Sequence, residues 1–197
     1  MMSWKGCIAA VLLVLGNASL SALPKQVFII RHGEKPAEGN QLNEQGWERA
    51  YALAPFFLLD PAVTQLGVVS AIFAQKPGKS STSSVRPIQT VTPLAHALGA
   101  SVKSPYRKDD VQSLANLVLR NANYDEKIVV VCWAHQAIAS LATAFGVASP
   151  PAYPEDRFDL IYQLTYDSSG SVTFCVRLQE LMFGDPTTLP GGFPSCP

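Results

Sequence analysis

The sequence lacks an excess of charge of either sign, and it lacks the residue patterns that bind metal ions. Its 15 basic and 15 acidic side chains cancel, so the composition does not indicate nucleic acid or an anionic membrane surface as a partner. The three histidines lie far apart along the chain, and no Cys-x-x-Cys pattern accompanies them. We therefore predict a protein that needs no metal ion and no other cofactor.

The sequence also lacks a hydrophobic run long enough to span a bilayer in the mature protein. The apolar stretch Cys7–Leu15 is shorter than the roughly 20 residues that a membrane-spanning helix needs. Lys5 precedes this stretch and the small residues of Asn17–Ala22 follow it, which is the pattern of a secretory signal peptide. We predict a signal peptide over residues 1–22 and a secreted protein that contacts no membrane afterwards. An N-terminal membrane anchor is the alternative.

Cysteine is scarce, because only three cysteines follow the predicted signal peptide. Cys132 lies in an apolar run and is predicted to be a buried, free thiol. Cys175 and Cys196 are candidates for a disulfide that would fasten the C-terminal residues to the last strand.

The most informative stretch is Lys25–Lys35, where a short apolar run is followed at once by reactive side chains. Val27–Ile30 has the length of a buried strand, and Arg31, His32 and Gly33 come directly after it. Open α/β folds bind ligands at the carboxyl ends of their strands, so these side chains are predicted to lie in a binding site. The glycine allows a sharp turn of the backbone there.

Two further stretches supply side chains of the same kinds. Ile128–Trp133 is a continuous, β-branched run that predicts another buried strand, and His135 follows it. Arg86 lies in an Arg-x-x-Gln-Thr pattern at the start of a predicted helix. In this order and at this approximate spacing, the Arg-His-Gly-Glu, Arg-x-x-Gln-Thr and strand-His patterns resemble the histidine phosphatase superfamily, also called phosphoglycerate mutase-like. The resemblance extends over residues 25–175.

The expected architecture is a single α/β domain over residues 23–183, followed by a tail rich in proline and glycine over residues 184–197. The expected fold is a three-layer sandwich, with a central, mostly parallel sheet and helices on both faces. Leu160–Tyr166 alternates between apolar and polar residues, and Ser171–Leu178 follows after a short turn. These two runs predict a C-terminal β-hairpin.

The resemblance implies a metal-independent phosphatase that hydrolyses phosphomonoesters. In this family the first histidine becomes transiently phosphorylated, so His32 is the expected nucleophile. Arg31, Arg86 and His135 are the expected clamp, because guanidinium groups match the geometry of phosphate oxygens. The expected partner is a small phosphorylated substrate or a phosphoprotein.

The sequence does not identify the general acid that would protonate the leaving group. Both neighbours of His135 are neutral, unlike the His-Asp pair of acid phosphatases and phytases. Other branches of the family place an acid between the second arginine and the second histidine. Asp109, with Asp110 beside it, is the nearest equivalent here, although Asp109 is also a candidate helix N-cap.

Glu34, beside the turn of the nucleophile, is a further candidate acid, and its alternative role is to orient Arg31 or the His32 ring. The loss of general acid catalysis would slow the reaction by about 10²–10⁴-fold. The first alternative function is therefore a weakly active or inactive domain that binds phosphate esters or phosphoproteins. The second is a phosphomutase, which the predicted signal peptide disfavours because glycolytic intermediates are cytosolic.

Overall fold

The computed structural model describes residues 23–197, and a central six-stranded sheet organises them. The strands are β1 (Gln26–Arg31), β2 (Val69–Ala74), β3 (Val102–Lys103), β4 (Ile128–Trp133), β5 (Leu160–Tyr166) and β6 (Val172–Leu178). The helices are α1 (Glu44–Leu59), α2 (Pro61–Thr64), α3 (Arg86–Ala97), α4 (Val111–Arg120) and α5 (His135–Ala144), with a 3₁₀ turn at Ala122–Tyr124. The predicted signal peptide lies outside the described residues.

The sheet is parallel in its first four strands and antiparallel at one edge. Its strand order is β3-β2-β4-β1-β5-β6. Strand β4 pairs in parallel with β1 and β2, whereas β5 runs antiparallel to β1 and forms a hairpin with β6. The register places Arg31 opposite Trp133, so β1 and β4 end together at the same edge. The predicted mostly parallel sheet and C-terminal hairpin are confirmed.

Helices cover both faces of the sheet, which gives the predicted three layers. Successive side chains of a strand point to opposite faces. Val27 and Ile29 of β1 therefore join one core cluster, which includes residues of α4 and α5. Phe28 and Ile30 join the other cluster, which includes residues of α1 and α3. Burial on both faces explains why β1 and β4 are continuous apolar runs.

Helix α1 begins where its sequence predicts and then continues through a proline. The Asn43 side chain accepts a hydrogen bond from the Gly46 N–H at 2.8 Å, as expected of an N-cap. Pro55 lies inside α1, which reaches Leu59 without a restart. Leu53 and Phe57 on either side of the proline are fully buried, so packing outweighs the hydrogen bond that the proline cannot form.

The C-terminal tail is irregular but fastened to the hairpin. Cys175 and Cys196 form the predicted disulfide, while Cys132 is free and buried. The Val176 N–H donates to the carbonyl of Pro194 at 2.7 Å, and the Cys196 N–H donates to the carbonyl of Val176 at 3.2 Å. The tail thus extends the edge of the sheet beside β6. Within residues 23–197, no helix is long and apolar enough to cross a membrane.

Candidate active site

The four side chains of the predicted phosphate clamp and nucleophile meet in one cavity at the carboxyl edge of the sheet. Arg31 ends β1 and His32 follows it, Arg86 begins α3, and His135 begins α5 directly after β4. The cavity has a volume of about 200 Å³, below the roughly 300–1,000 Å³ of typical ligand pockets, so it suits a small anion. Its lining residues are Arg31, His32, Lys35, Gln75, Ser84, Arg86, Pro87, Ala134, His135 and Gln136.

Arg31 is a buried cation, and within residues 23–197 no carboxylate forms an ion pair with it. Its Nη1 donates to the backbone carbonyls of Pro154, Glu155 and Arg157 at 3.3, 2.6 and 2.6 Å. Its Cζ lies 3.7 Å from the centroid of the Phe158 ring. Among the described residues the buried Nε atom has no hydrogen-bond partner, and burial lowers the pKa of Arg31. An anion bound in the cavity would compensate both the charge and the missing hydrogen bond.

The His32 imidazole is held in one tautomer and stays neutral. Its Nδ1 lies 2.7 Å from the carbonyl oxygen of Gly33, which can only accept, so Nδ1 carries the proton and Nε2 keeps its lone pair. The side chain is 6 % exposed. Burial, followed by the positive charges of Arg31 and Arg86, lowers the pKa of His32 to about 4. At neutral pH the ring is therefore available as a nucleophile.

The turn that carries His32 depends on two glycines in contact. The Gly33 N–H donates to Thr90 Oγ1 of α3 at 2.9 Å. A Cβ atom at Gly33 would lie 2.8 Å from the backbone oxygen of Gly46, and a Cβ atom at Gly46 would press on the backbone of Glu34. The first turn of α1 therefore packs directly on the turn that carries His32.

Arg86 and His135 face the cavity from the starts of two helices. The Nε of Arg86 donates to the carbonyl of Gln41 at 2.9 Å, and its Nη2 donates to the carbonyl of Gly39, which ties the arginine to the preceding loop. His135 is half-buried, and its Nδ1 has no hydrogen-bond partner in the part of the chain that the structure describes. Burial, then the charge of Arg31, lowers the pKa of His135, which favours the neutral form of its imidazole.

Glu34 was predicted, as an alternative to acting as an acid, to orient Arg31 or the His32 ring. That prediction was wrong, because Glu34 bonds to a different side chain. The Glu34 carboxylate pairs with Arg49 of α1, with Oε1 at 2.6 Å from Nη2. The same guanidinium contacts Asp185 at 2.7 Å and Gln179 at 3.0 Å. Glu34 and Arg49 are both buried, and Glu34 does not line the cavity. These ion pairs are sufficient to explain why Glu34 is buried, and no role in proton transfer is needed to explain it.

Asp109 also lies away from the cavity walls. Its side chain is 89 % exposed, and its carboxylate is 3.9 Å from the Nζ of Lys108. The prediction that Asp109 could be a helix N-cap was wrong, because Asp110 occupies the N-cap position of α4. The Asp110 N–H donates a hydrogen bond to the Arg107 carbonyl, which closes a turn just before the helix. The Asp110 carboxylate accepts from the Arg107 N–H at 2.9 Å instead.

Several polar groups of the site were not among the site residues expected from the sequence. Gln75, at the end of β2, accepts a hydrogen bond from the Ala134 N–H at 3.1 Å and so connects two strand ends. Lys35 and Gln136 also line the cavity. Lys35 lies three residues after His32 and Gln136 directly follows His135, and this closeness in the sequence was the available indication. The carbonyl groups that hold Arg31 had no such indication, because backbone contacts leave no mark on residue identity.

The sequence matches no protein-family model and no curated protein. Among solved structures, the fold is similar to that of the protein histidine phosphatase SixA complexed with tungstate, with a TM-score of 0.56 and 19% sequence identity over 78% of this chain and 97% of that chain. It is also similar to phosphoglycerate mutase from Plasmodium falciparum, with a TM-score of 0.50 and 14% identity over 88% of this chain and 99% of that chain. The chain therefore has the fold of the histidine phosphatase superfamily, as its Arg-His-Gly and strand-His patterns predict.

Proposed function

We propose that this protein hydrolyses phosphomonoesters through a phosphohistidine formed on Nε2 of His32, without a metal ion. The observation that carries the proposal is the cavity itself. A neutral imidazole with a free Nε2 shares it with the guanidinium groups of Arg31 and Arg86 and with the imidazole of His135. A nucleophile surrounded by cationic donors is the arrangement that phosphoryl transfer needs.

In the first step, the Nε2 lone pair attacks phosphorus while the bond to the leaving oxygen breaks on the opposite side. The His32 ring gains a positive charge, and the Gly33 carbonyl, which accepts the Nδ1 proton at 2.7 Å, stabilises that charge. Arg31 and Arg86 offset the negative charge of the transferred phosphoryl oxygens. In the second step, water attacks phosphorus, the N–P bond breaks and phosphate leaves.

The shape of the bound group is supported by the similar SixA structure, which was solved with tungstate. Tungstate is a tetrahedral oxyanion like phosphate. We propose that the cavity of this chain binds a tetrahedral oxyanion of the same shape. The unpartnered Nε of Arg31 would donate a hydrogen bond to this anion, and His135 would gain a proton when the anion binds. The rest of the substrate is a small phosphorylated molecule or a phosphorylated protein.

The direct test is hydrolysis of p-nitrophenyl phosphate in the presence of a chelator. Purified protein should release phosphate, and His32→Asn should abolish release while folding normally. The matched control is His96→Asn, because His96 is exposed on α3 and does not line the cavity. Activity that vanishes with the chelator, or that survives in His32→Asn, would refute the proposal.

A domain that binds phosphorylated partners without hydrolysis is the second candidate. The observation that favours it is the position of Glu34 and Asp109, neither of which lines the cavity. Calorimetry with inorganic phosphate measures binding, and assays on a panel of sugar, nucleotide, inositol and protein phosphates measure hydrolysis. Together these measurements distinguish a binding domain from a phosphatase. Phosphate binding without turnover of any ester would support the binding domain.

A location outside the cytoplasm is part of the proposal. The pattern of residues 1–22 predicts export, and the disulfide between Cys175 and Cys196 supports it, because such bonds persist in oxidising compartments. Fractionation of cells that express the full chain tests this location. Protein found only in the cytoplasm would contradict it.

A further inference from the structure

The cavity at the carboxyl edge of the sheet brings three permanent cations together. Arg31, Lys35 and Arg86 all line its volume of about 200 Å³. Within residues 23–197, none of the three forms an ion pair with a carboxylate, and no acidic residue lines the cavity. The phosphoryl group of a monoester carries at most about two negative charges at neutral pH. The cavity therefore holds one cation more than that group can balance.

Acids near the cavity do not remove this surplus of positive charge. Glu34, Glu155 and Asp156 act on Arg31 through space, and each opposes the effect of burial on its pKa. None of these carboxylates lines the cavity, and that of Glu34 is already paired with Arg49 at 2.6 Å. The compensating charge inside the cavity is thus left to a bound anion.

Lys35 is the cation that the phosphoryl group does not require. Its backbone carbonyl accepts from Asn43 Nδ2 at 3.5 Å, but its ammonium has no hydrogen-bond or ion-pair partner among the described residues. The side chain is exposed, and its charge contributes to the lowered pKa of His135 across the cavity. A lysine places a compact charge on a flexible stem, which suits a second anionic group beside a phosphoryl group held by arginines.

The second requirement on the substrate concerns the leaving group. An alkoxide departs slowly unless an acid protonates it, whereas the predicted acids Glu34 and Asp109 both lie away from the cavity walls. Phosphate departs readily as an anion, because its second pKa is near 6. A phosphoanhydride meets both requirements, since its leaving group is a phosphate that needs no proton donor and brings the additional negative charge.

We infer that this site hydrolyses the terminal phosphoryl group of a phosphoanhydride, with Lys35 binding the phosphate that leaves, an inference that rests on the proposed function. In the first step, the N–P bond to Nε2 of His32 forms and the bond from phosphorus to the bridging oxygen breaks. The bridging oxygen keeps the electron pair, and its phosphate departs as an anion. In the second step, water forms a new P–O bond and loses a proton to solvent, and the N–P bond breaks. One inorganic diphosphate and one water thus yield two phosphate ions.

The test uses inorganic diphosphate, phosphoramidate and p-nitrophenyl phosphate, each in the presence of a chelator. All three have leaving groups that depart without a proton donor, but only that of diphosphate is already negatively charged in the substrate. The wild type should hydrolyse diphosphate, and His32→Asn should not. Lys35→Gln should lower the ratio of kcat/KM for diphosphate to that for p-nitrophenyl phosphate at least about tenfold, as expected for the loss of a charge-assisted hydrogen bond.

Two control variants and two inhibitors accompany this comparison. Lys127, exposed before β4 at the other edge of the sheet, is the matched position, and Lys127→Gln should keep the wild-type ratio. Lys35→Arg retains the charge and should retain most of the ratio. Lys35→Gln should weaken inhibition by methylenediphosphonate, a diphosphate analogue that is not hydrolysed, at least about tenfold more than inhibition by tungstate.

The outcomes separate this inference from the function on which it rests. A wild type that hydrolyses p-nitrophenyl phosphate but not diphosphate would overturn the inference, while the proposed nucleophile would stand. An unchanged ratio in Lys35→Gln, or an equal fall in the ratio for phosphoramidate, would overturn the role of Lys35 at the second phosphate. A wild type that hydrolyses none of the three would refute the proposed function and this inference with it.

Discussion

The His32 ring is neutral because of where it is buried, and this makes the stability of the protein depend on pH. Its pKa is lowered to about 4, whereas an unfolded histidine titrates near 6.5. Between these values the unfolded chain binds a proton that the folded chain does not. Stability that is present above about pH 6.5 is therefore lost progressively as the pH falls toward 4.

We predict that acidification from pH 7 to pH 4.5 destabilises the wild type more than His32→Asn. The expected difference is on the order of 2 kcal/mol, because each pH unit in this interval costs about 1.4 kcal/mol for one differential proton. Urea unfolding of both proteins at the two pH values measures it. Identical pH dependence in the two proteins would show that His32 titrates normally.

Arg86 provides a second prediction at the scale of one residue. Its Nε and Nη2 are held by the carbonyl groups of Gln41 and Gly39, so its planar group is oriented before substrate arrives. Lysine keeps the charge but cannot form both of these bonds and contact phosphate at once. Arg86→Lys should lower kcat/KM for p-nitrophenyl phosphate at least about tenfold, the equivalent of one lost charge-assisted hydrogen bond. Arg120→Lys at the end of α4, outside the cavity, is the control and should have wild-type activity.

At the scale of elements, the contact between α1 and the turn after β1 governs the placement of His32. Helix propensity alone predicts that Gly46→Ala stabilises the protein by about 0.5–1 kcal/mol. The added Cβ would instead press on the backbone of Glu34, two residues after His32, where no flexible side chain can move aside. We expect a loss of about 1–3 kcal/mol, as in overpacked cores, together with reduced activity.

Thermal unfolding measures the stability of Gly46→Ala, and phosphatase assays measure its activity. The control variant for both measurements is Gly191→Ala. A Cβ atom at Gly191 meets nothing within 4 Å, so the control should behave as the wild type does. A stabilised Gly46→Ala protein would show that the α1 contact is looser than the structure describes.

The elements were predictable from sequence where their residues are buried on two faces or have local caps. The bounds of β4 and β5 match their apolar runs, and the Asn43 cap marks the start of α1. Arg31, His32 and His135 were predictable because they lie at or just after the ends of the buried strands β1 and β4, and Arg86 was predictable from its Arg-x-x-Gln-Thr pattern. The role of Glu34 was not, because its partner network joins residues that are distant in sequence, and the conformation of the loop at Glu155 depends on contacts with buried Arg31.

At the scale of the whole molecule, the tail is connected to the active-site turn by a buried ion network. Arg49 joins Glu34, two residues after His32, to Asp185 in the tail. Removal of one partner from a buried ion pair costs about 3–5 kcal/mol, because the other charges remain without compensation. Arg49→Met should therefore lower the free energy of unfolding by about that amount. The control, Lys108→Met, breaks an exposed pair and should change it by less than about 1 kcal/mol. Equal, small effects in urea unfolding would contradict this account of the network.

The disulfide between Cys175 and Cys196 fastens the same tail at its far end. A bridge that closes a loop of this size contributes about 3 kcal/mol. Cys196→Ser should therefore lower the melting temperature, and a reducing agent should lower that of the wild type but not of the variant. A melting temperature of the wild type that does not respond to reduction would show that the bridge contributes little.

The most direct measurement of the central claim is the location of the phosphoryl group during turnover. The protein is mixed with substrate, quenched in alkali, which preserves phosphohistidine, and digested for peptide mapping by mass spectrometry. We predict one phosphorylated peptide that contains His32, with the modification absent in His32→Asn. A phosphoryl group on His135 or any other residue, or turnover without a phosphorylated peptide, would contradict the account.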